Sequence, residues 1–370
     1  MPVKRVFLCI LFFFTQRFCP AFGQSEVSFF ILSGQPNADL LARAYFMPVA
    51  KSINSNLNRG WLFGGEALTP GRVEVGVTLT TAFVPPDQKS FDVTAIGLEA
   101  TTQLAAGYGS QTPTALGAHT LGPQLNVTTT LPGSGEEAVI ATYPMPEGVG
   151  VPLIPLPSLQ LNLGLMKGTE LRTRLLPSIK FRSDGTNYAT AMWGIGVTHR
   201  LHQSFVRYLP FSVTAGLTYA RQRVQGNFER VGSWHQVLNG QEVVRTEQQK
   251  DPSHYDDQKL QLRAESLILE CILSKEVRAF TFFSGLRYSI GRTYVETLGI
   301  YPQIAVRPTD EDPYYELYFK DVKNPIKVAI PYYPLALQAG VSCRLSAFTL
   351  GLSGTYATYT SLSAALSVSF

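Results

Sequence analysis

Residues 360–370 place Leu362, Ala364, Leu366, Val368 and Phe370 at alternate positions, with Ser361, Ser363, Ser367 and Ser369 between them. A period of two is the signature of an extended strand with one apolar face. The pattern recurs upstream. Val73, Val75, Val77 and Leu79 alternate with Glu74, Gly76, Thr78 and Thr80; Leu159, Leu161, Leu163 and Leu165 form a second row. Val213, Ala215, Leu217 and Tyr219 form a third, and Leu335, Leu337, Ala339, Val341, Cys343 and Leu345 a fourth. Runs of about ten residues, apolar on one face and small or polar on the other, predict transmembrane strands. A soluble sandwich alternates too, but its outer face carries more charge than the Ser, Thr and Gly found here. The expected fold is all-β, a transmembrane antiparallel barrel.

Connection lengths agree. Counting back from the C-terminus, the links 357–360, 299–332, 225–257 and 183–187 fall on one side. The links near Ser346, at 274–276, 204–207 and 167–168, are tight and fall on the other. Barrels carry short turns on the periplasmic side and longer loops outside. Extending the parity to Arg72 predicts about twelve strands, with ten to fourteen open. Tyr188, Tyr219, Tyr356 and Tyr359 then fall near outer ends and Tyr208, Phe348 and Phe370 near inner ends, as two aromatic girdles.

Three segments break the pattern. Lys4 and Arg5 precede an apolar stretch over residues 6–14, and Ala21-Phe22-Gly23 offers a small-x-small cut, so residues 1–23 read as an export signal. Over residues 37–58, Leu40, Leu41, Ala44, Tyr45, Val49, Ile53 and Leu57 recur at helical spacing, with Asn37 placed to cap and Pro48 to kink. Lys51, Asn54, Asn56 and Arg59 keep such a helix out of lipid; it either plugs the lumen or rests at the periplasmic mouth. Residues 24–70 are therefore the helical plug or cap, with Leu41, Tyr45, Pro48, Ile53 and Leu57 as its packing residues, and residues 71–370 the barrel. Last, five prolines in residues 143–157 predict a non-strand segment, either folded into the lumen as a constriction or covering the rim.

Composition narrows the class further. The 370 residues are only 16% charged, yet the mean hydropathy is +0.05, and no apolar run after the N-terminal segment reaches the ~20 residues of a membrane helix. Removing Lys4, Arg5 and Arg17 with the signal takes the formal charge from +4 to +1, which speaks against nucleic-acid binding. Cys271 and Cys343 would remain, on strands separated by a third. Two strand spacings of about 10 Å exceed the roughly 7 Å Cα limit of a disulfide.

Candidate chemistry is sparse. Glu170, Arg172 and Arg174 alternate with Leu171, Thr173 and Leu175, and so are assigned to the lumen; Arg263, Glu265 and Arg287 are assigned there likewise. Such a ladder serves one of three ends: selecting anions, anchoring the plug, or satisfying itself. His254 with Asp251, Asp256 and Asp257, and Asp310, Glu311 and Asp312 in the other long loop, are weak candidates for an Asp/His pair or a hard cation. The carboxylate spacing matches no calcium loop. His199 and His202 face opposite sides of one strand. No cofactor, resident metal or enzymatic activity is expected.

Asn56-Leu57-Asn58-Arg59-Gly60-Trp61, the proline-rich stretch, and Leu159 to Leu163 running into Gly164-Leu165-Met166-Lys167-Gly168-Thr169-Glu170-Leu171 with Leu176-Pro177 resemble an uncharacterised bacterial outer-membrane family, a domain of unknown function. The resemblance covers most of the mature chain and implies a β-barrel in the outer membrane of a Gram-negative bacterium. It brings no substrate or site residues. In architecture alone the chain is loosely similar to long-chain fatty-acid porins, whose N-terminal motif it lacks. The resulting expectation is a gated or low-conductance channel for a small or amphiphilic solute. The alternative is a closed surface-interaction barrel whose long loops bind a partner. Expected partners are outer-membrane lipid and the barrel-assembly machinery, the latter through the strand ending at Phe370.

Overall fold

The computed structural model describes residues 28–64, 67–183, 186–201, 210–227, 237–238, 241–310 and 314–370. The expected signal at 1–23, the turn at 204–207 and Tyr208 lie outside them.

Ten long antiparallel strands close into a barrel among the described residues. They are β1 (Val73–Phe83), β2 (Leu153–Met166), β3 (Thr169–Ser183), β4 (Thr186–Arg200) and β5 (Ser212–Asn227). β6 (Lys259–Val277) and β7 (Phe280–Leu298) follow. β8 is one strand in two parts, Lys327–Tyr332 and Leu335–Leu345, both paired to β7. β9 (Phe348–Tyr356) and β10 (Ser361–Ser369) complete the set. Each strand pairs with its neighbour in sequence, and β10 closes on β1 in a register running from Glu74 opposite Ser369 to Ala82 opposite Ser361.

Side-chain phase explains why this sheet closes in lipid. On β8, Leu335 and Leu337 are exposed while Ala336 and Gln338 are buried; on β10, Leu362 and Leu366 are exposed while Ser361 and Ser363 are buried. The apolar face looks outward around the barrel and the small polar face looks inward, an inversion of a soluble protein that only a lipid surround makes favourable. No helix among the described residues is long and apolar enough to cross a membrane. The strands do the crossing, and the protein sits in the outer membrane. The tight links at 167–168, 278–279 and 346–347 lie at the inner end with Val73 and Phe370, whose backbones hydrogen-bond; residues 274–276, expected as a turn, are still strand. The long connections lie at the outer end.

Several expectations are corrected. The strand number is ten, at the lower end of the expected ten to fourteen, because alternating segments in residues 84–152 are not barrel strands. Thr102–Leu104, Gln124–Thr130 and Glu137–Pro144 form their own small sheet, and their buried Leu125, Val127 and Tyr143 join the core around the lumen helix. Alternation reports one buried face and does not distinguish lipid from a protein neighbour. Pro155 and Pro157 do lie in a strand, opposite Thr81 and Leu79 of β1. There β2 is paired on one side only, since β3 joins it from Leu159 onward, and proline is tolerated on such an edge. The second long loop ends at 326, because Lys327–Tyr332 is already strand. Tyr188 and Tyr359 are buried and leave the outer girdle, whereas Tyr356 and Phe370 stand exposed. Tyr188 shares the inward phase of Met192, and Tyr359 turns over the lumen to pack edge-on against Tyr332. Cys271 and Cys343 are free thiols.

Inside the barrel runs one helix, α1 (Asn37–Leu57), unbroken through Pro48. Its 21 residues span about 31 Å at 1.5 Å per residue, the depth of the membrane core. It enters at the outer end, where Gln35 Nε2 donates to Pro325 O at 2.5 Å and Asn37 Oδ1 accepts from Glu99 N at 2.8 Å. Asn37 thus fastens the helix to the outer connections instead of capping it; the N-cap position is Pro36, with no side-chain cap bond. The helix ends at Leu57, and the chain that follows it reaches the inner end, where Gly71 N donates to Gly164 O at the start of β1.

Candidate functional site

The lumen helix has two tiers. Toward the outer end, Leu41, Tyr45, Phe46, Val49 and Ala50 are fully buried against Leu260, Leu262, Ala264, Val295, Val328 and Ile330 of the wall. Tyr45 Oη donates to Glu147 O at 2.7 Å and Ala115 N donates to Tyr45 O, so residues 84–152 close over this tier. Toward the inner end the helix face turns to Ser52, Asn54, Ser55, Asn56 and Asn58, all buried. Asn54 Nδ2 donates to Thr293 Oγ1, which donates in turn to Ala50 O; Asn56 Nδ2 donates to Ile154 O at 2.7 Å. Leu41, Tyr45, Pro48, Ile53 and Leu57 are therefore all buried inside the lumen.

Below Leu57 the chain turns through Gly60, at φ +73°, a left-handed conformation that glycine adopts without strain. The turn presents three carbonyls to two arginines of β3. Arg174 Nη1 donates to Arg59 O at 2.7 Å and its Nη2 to Gly60 O and to Gln160 Oε1. Arg172 Nη1 donates to Trp61 O at 2.6 Å. Cations at a helix C-terminus also oppose the negative end of its dipole. Arg174 stacks over the Trp61 ring at 4.3 Å, and the indole Nε1 donates back to Leu57 O. Glu170 completes the clamp, 2.5 Å from Arg172 Nη2, while its other oxygen accepts from Leu68 N.

Arg287 faces inward as well and pairs with Glu270 at 2.5 Å, both essentially without exposure. Glu270 escaped the sequence reading, although its place between outward Leu269 and Cys271 marks it as lumenal. Arg263 and Glu265 are corrected: they face outward, in phase with Leu267 and Leu269. Leu262 and Ala264 take the inward positions because the wall there meets the apolar tier of α1, so apolar does not mean outward on that stretch.

The inner tier is incompletely satisfied. Ser52 Oγ, Asn54 Oδ1, Asn56 Oδ1, both amide atoms of Asn58, Arg174 Nε, Glu270 Oε1 and two guanidinium nitrogens of Arg287 are buried without a protein hydrogen bond. A buried polar atom left with neither a protein nor a water partner costs about 1–3 kcal/mol. Beneath it, a cavity of about 290 Å³ opens between Phe63, Leu68, Asn162, Glu170, Arg172 and Arg344.

The loops tie to each other. His254 Nε2 lies 2.6 Å from Asp321 Oδ2, and Tyr255 Oη and Gln249 Nε2 both donate to Asp321 Oδ1. Burial and the Asp321 carboxylate push the Tyr255 hydroxyl above its ordinary range. Asp251 accepts from Ser253 N and Oγ instead of pairing with His254. Glu311 and Asp312, like His202, lie outside the described residues. Among the described residues no group of three or more potential ligands gathers, Asp310 included.

A closed barrel of ten strands, apolar outside and threaded by a polar-ended helix, defines an outer-membrane β-barrel protein. The chain belongs to the family described as Family of unknown function (DUF6588), whose model matches residues 3–370. No curated protein matches the sequence. Among solved structures it is similar to the translocator domain of the autotransporter NalP from Neisseria meningitidis, at 11% identity and TM-score 0.30, covering 92% of this chain and 99% of that one. It is also similar to the outer membrane transporter YddB from Escherichia coli, at 8% identity and TM-score 0.29, covering 78% and 39%. A third is the Ralstonia pickettii toluene transporter TbuX, at 7% identity and TM-score 0.21, covering 82% and 90%.

Proposed function

We propose that this protein is a gated channel for a small or amphiphilic solute, closed at rest by α1. The observation that carries the reading is the contrast between the two tiers of the helix. A permanent plug gains from apolar packing along its whole length, yet here the last turns of the helix bury Ser52, Asn54, Ser55 and Asn56 beside Ile53 and Leu57. Ser52 Oγ, Asn54 Oδ1 and Asn56 Oδ1 make no hydrogen bond to the protein, so this is the part of the lumen that gives way at least cost. The arginine clamp is the latch: Arg172 and Arg174 grip backbone carbonyls, which any shift of the helix end releases together. A cavity already lies on the periplasmic side of that latch.

Planar-bilayer recordings of the refolded protein, beside R172A/R174A and a variant lacking residues 37–58, test the reading. The intact protein should conduct rarely, the clamp variant more often, and the deletion continuously. Absence of current from a folded deletion variant would favour the surface-interaction alternative. The amphipathic strand β10, closing on β1, supports recognition by the barrel-assembly machinery.

A further inference from the structure

The outward phase of Arg263 and Glu265 brings together a charged patch on the lipid-facing wall. Across β4 to β7, one row of directly opposed residues reads Trp193, Arg221, Glu265, Arg292. The next row toward the outer end reads Ala191, Arg223, Arg263, Tyr294. The row immediately below is wholly apolar or aromatic: Ile195, Tyr219, Leu267, Ile290. The patch therefore begins where the apolar band ends, on the side of the long connections.

Four arginines here share one carboxylate. Glu265 Oε1 lies 3.8 Å from Arg221 Nε and 3.5 Å from Arg263 Nε, and both contacts are part-exposed. Arg223 and Arg292 are exposed, Arg292 with hydrogen bonds to the Tyr294 and Tyr333 hydroxyls. Arg223 stands directly opposite Arg263, and like charges paired across strands repel. Arg263 Cζ lies over the Tyr294 ring, 4.7 Å from its centroid, a contact that holds the guanidinium against the wall. Such a surplus of fixed guanidinium edges matches the geometry of phosphate oxygens.

We propose that this patch binds the phosphates of a phosphorylated glycolipid in the outer leaflet. Its height on the wall, at the boundary of the apolar band, is that of a lipid headgroup and not of a soluble ligand or an acyl chain. Arg221 and Arg292 stand two strand spacings apart, about 10 Å, a span that suits two phosphates on one headgroup better than one. Glu265 between them accepts weakly from the Tyr219 hydroxyl at 3.4 Å, a place a sugar hydroxyl can take. Trp193 and Tyr219, whose rings lie 5.6 Å apart beside Arg221, give the sugar a stacking surface. The inference is independent of whether the lumen opens.

Native mass spectrometry of the refolded full-length barrel tests it with three probes: a lipid A carrying two phosphates, the same lipid with one, and phosphatidylglycerol. The protein should retain one doubly phosphorylated lipid, the singly phosphorylated form more weakly, and phosphatidylglycerol least. R221Q/R223Q/R263Q/R292Q should lower retention of the first about tenfold, since charge-assisted hydrogen bonds carry it. Equal retention by the variant, or phosphatidylglycerol held as tightly as the glycolipid, would overturn the proposal. Should the variant fail to fold, the phosphate series on the unaltered protein decides alone: no dependence on phosphate number refutes the site.

Discussion

Arg174 and Trp61 hold each other at the foot of the lumen helix, the guanidinium 4.3 Å from the indole centroid and its hydrogens on the carbonyls just before the ring. Neither residue is exposed. R174M keeps the bulk and removes those donors, leaving the carbonyls of Arg59 and Gly60 without them. Each charge-assisted hydrogen bond lost should cost about 1.5–3 kcal/mol. A lowered urea midpoint, with the barrel still folded, is the expected readout.

Gly194 on β4 is where the wall lets Trp61 in. A Cβ there would lie 2.6 Å from the indole Cη2, closer than real contacts come. G194V should destabilise the folded protein by about 1–3 kcal/mol through overpacking. W61A/G194V, in which the ring is gone, should recover part of that loss. If G194V were neutral in urea titration, the indole would not occupy this place.

The Glu270–Arg287 pair is buried at 2.5 Å with almost no exposure on either side. Removing one member leaves the other charge uncompensated, at about 3–5 kcal/mol. E270Q and R287M should each be strongly destabilising, and E270Q/R287M much less so than their sum. Additive effects in the double-mutant cycle would show that the two side chains do not interact.

Asp92, in the outer connection between β1 and β2, accepts from Thr94 N, Thr94 Oγ1 and Ser110 Oγ. Hydrogen bonds from the Thr94 side chain, the Ser110 side chain and the Thr94 backbone hold its carboxyl below the ordinary value. A depressed folded pKa contributes order that is full above the unfolded value of about 3.9 and is lost as the pH falls through the folded one. Pepsin cleavage within residues 84–113 should therefore rise between about pH 4 and pH 2. D92N, compared at the same pH values, should show no such rise of its own.

Much of the barrel is legible in the sequence because lipid demands strict phase. Leu217 and Tyr219 face out and Thr218 in, as their alternation requires. Leu262 and Ala264 mislead because the lumen is itself apolar where α1 is apolar, so a strand can show apolar residues on either face. The strands at 102–144 mislead for a related reason, their apolar side being covered by protein. Pro155 and Pro157 read as breakers, and only the stagger between β2 and β3 shows the edge that accommodates them. Phase alone puts Glu170, Arg172, Arg174 and Arg287 on the inward face, where all four are buried. Phase does not give their partners, since carbonyls 59–61 reach them only through a turn that crosses the lumen.

The claim that α1 moves is tested most directly by fastening it to the wall. Asn54 and Thr293 hydrogen-bond across the helix–wall contact, and N54C/T293C would join them by a disulfide. In planar bilayers the reduced variant should show the rare openings of the unaltered protein, and the oxidised form none. Openings that persist at the same frequency in the cross-linked protein would mean that current passes without displacement of the helix, and the gating account would be wrong.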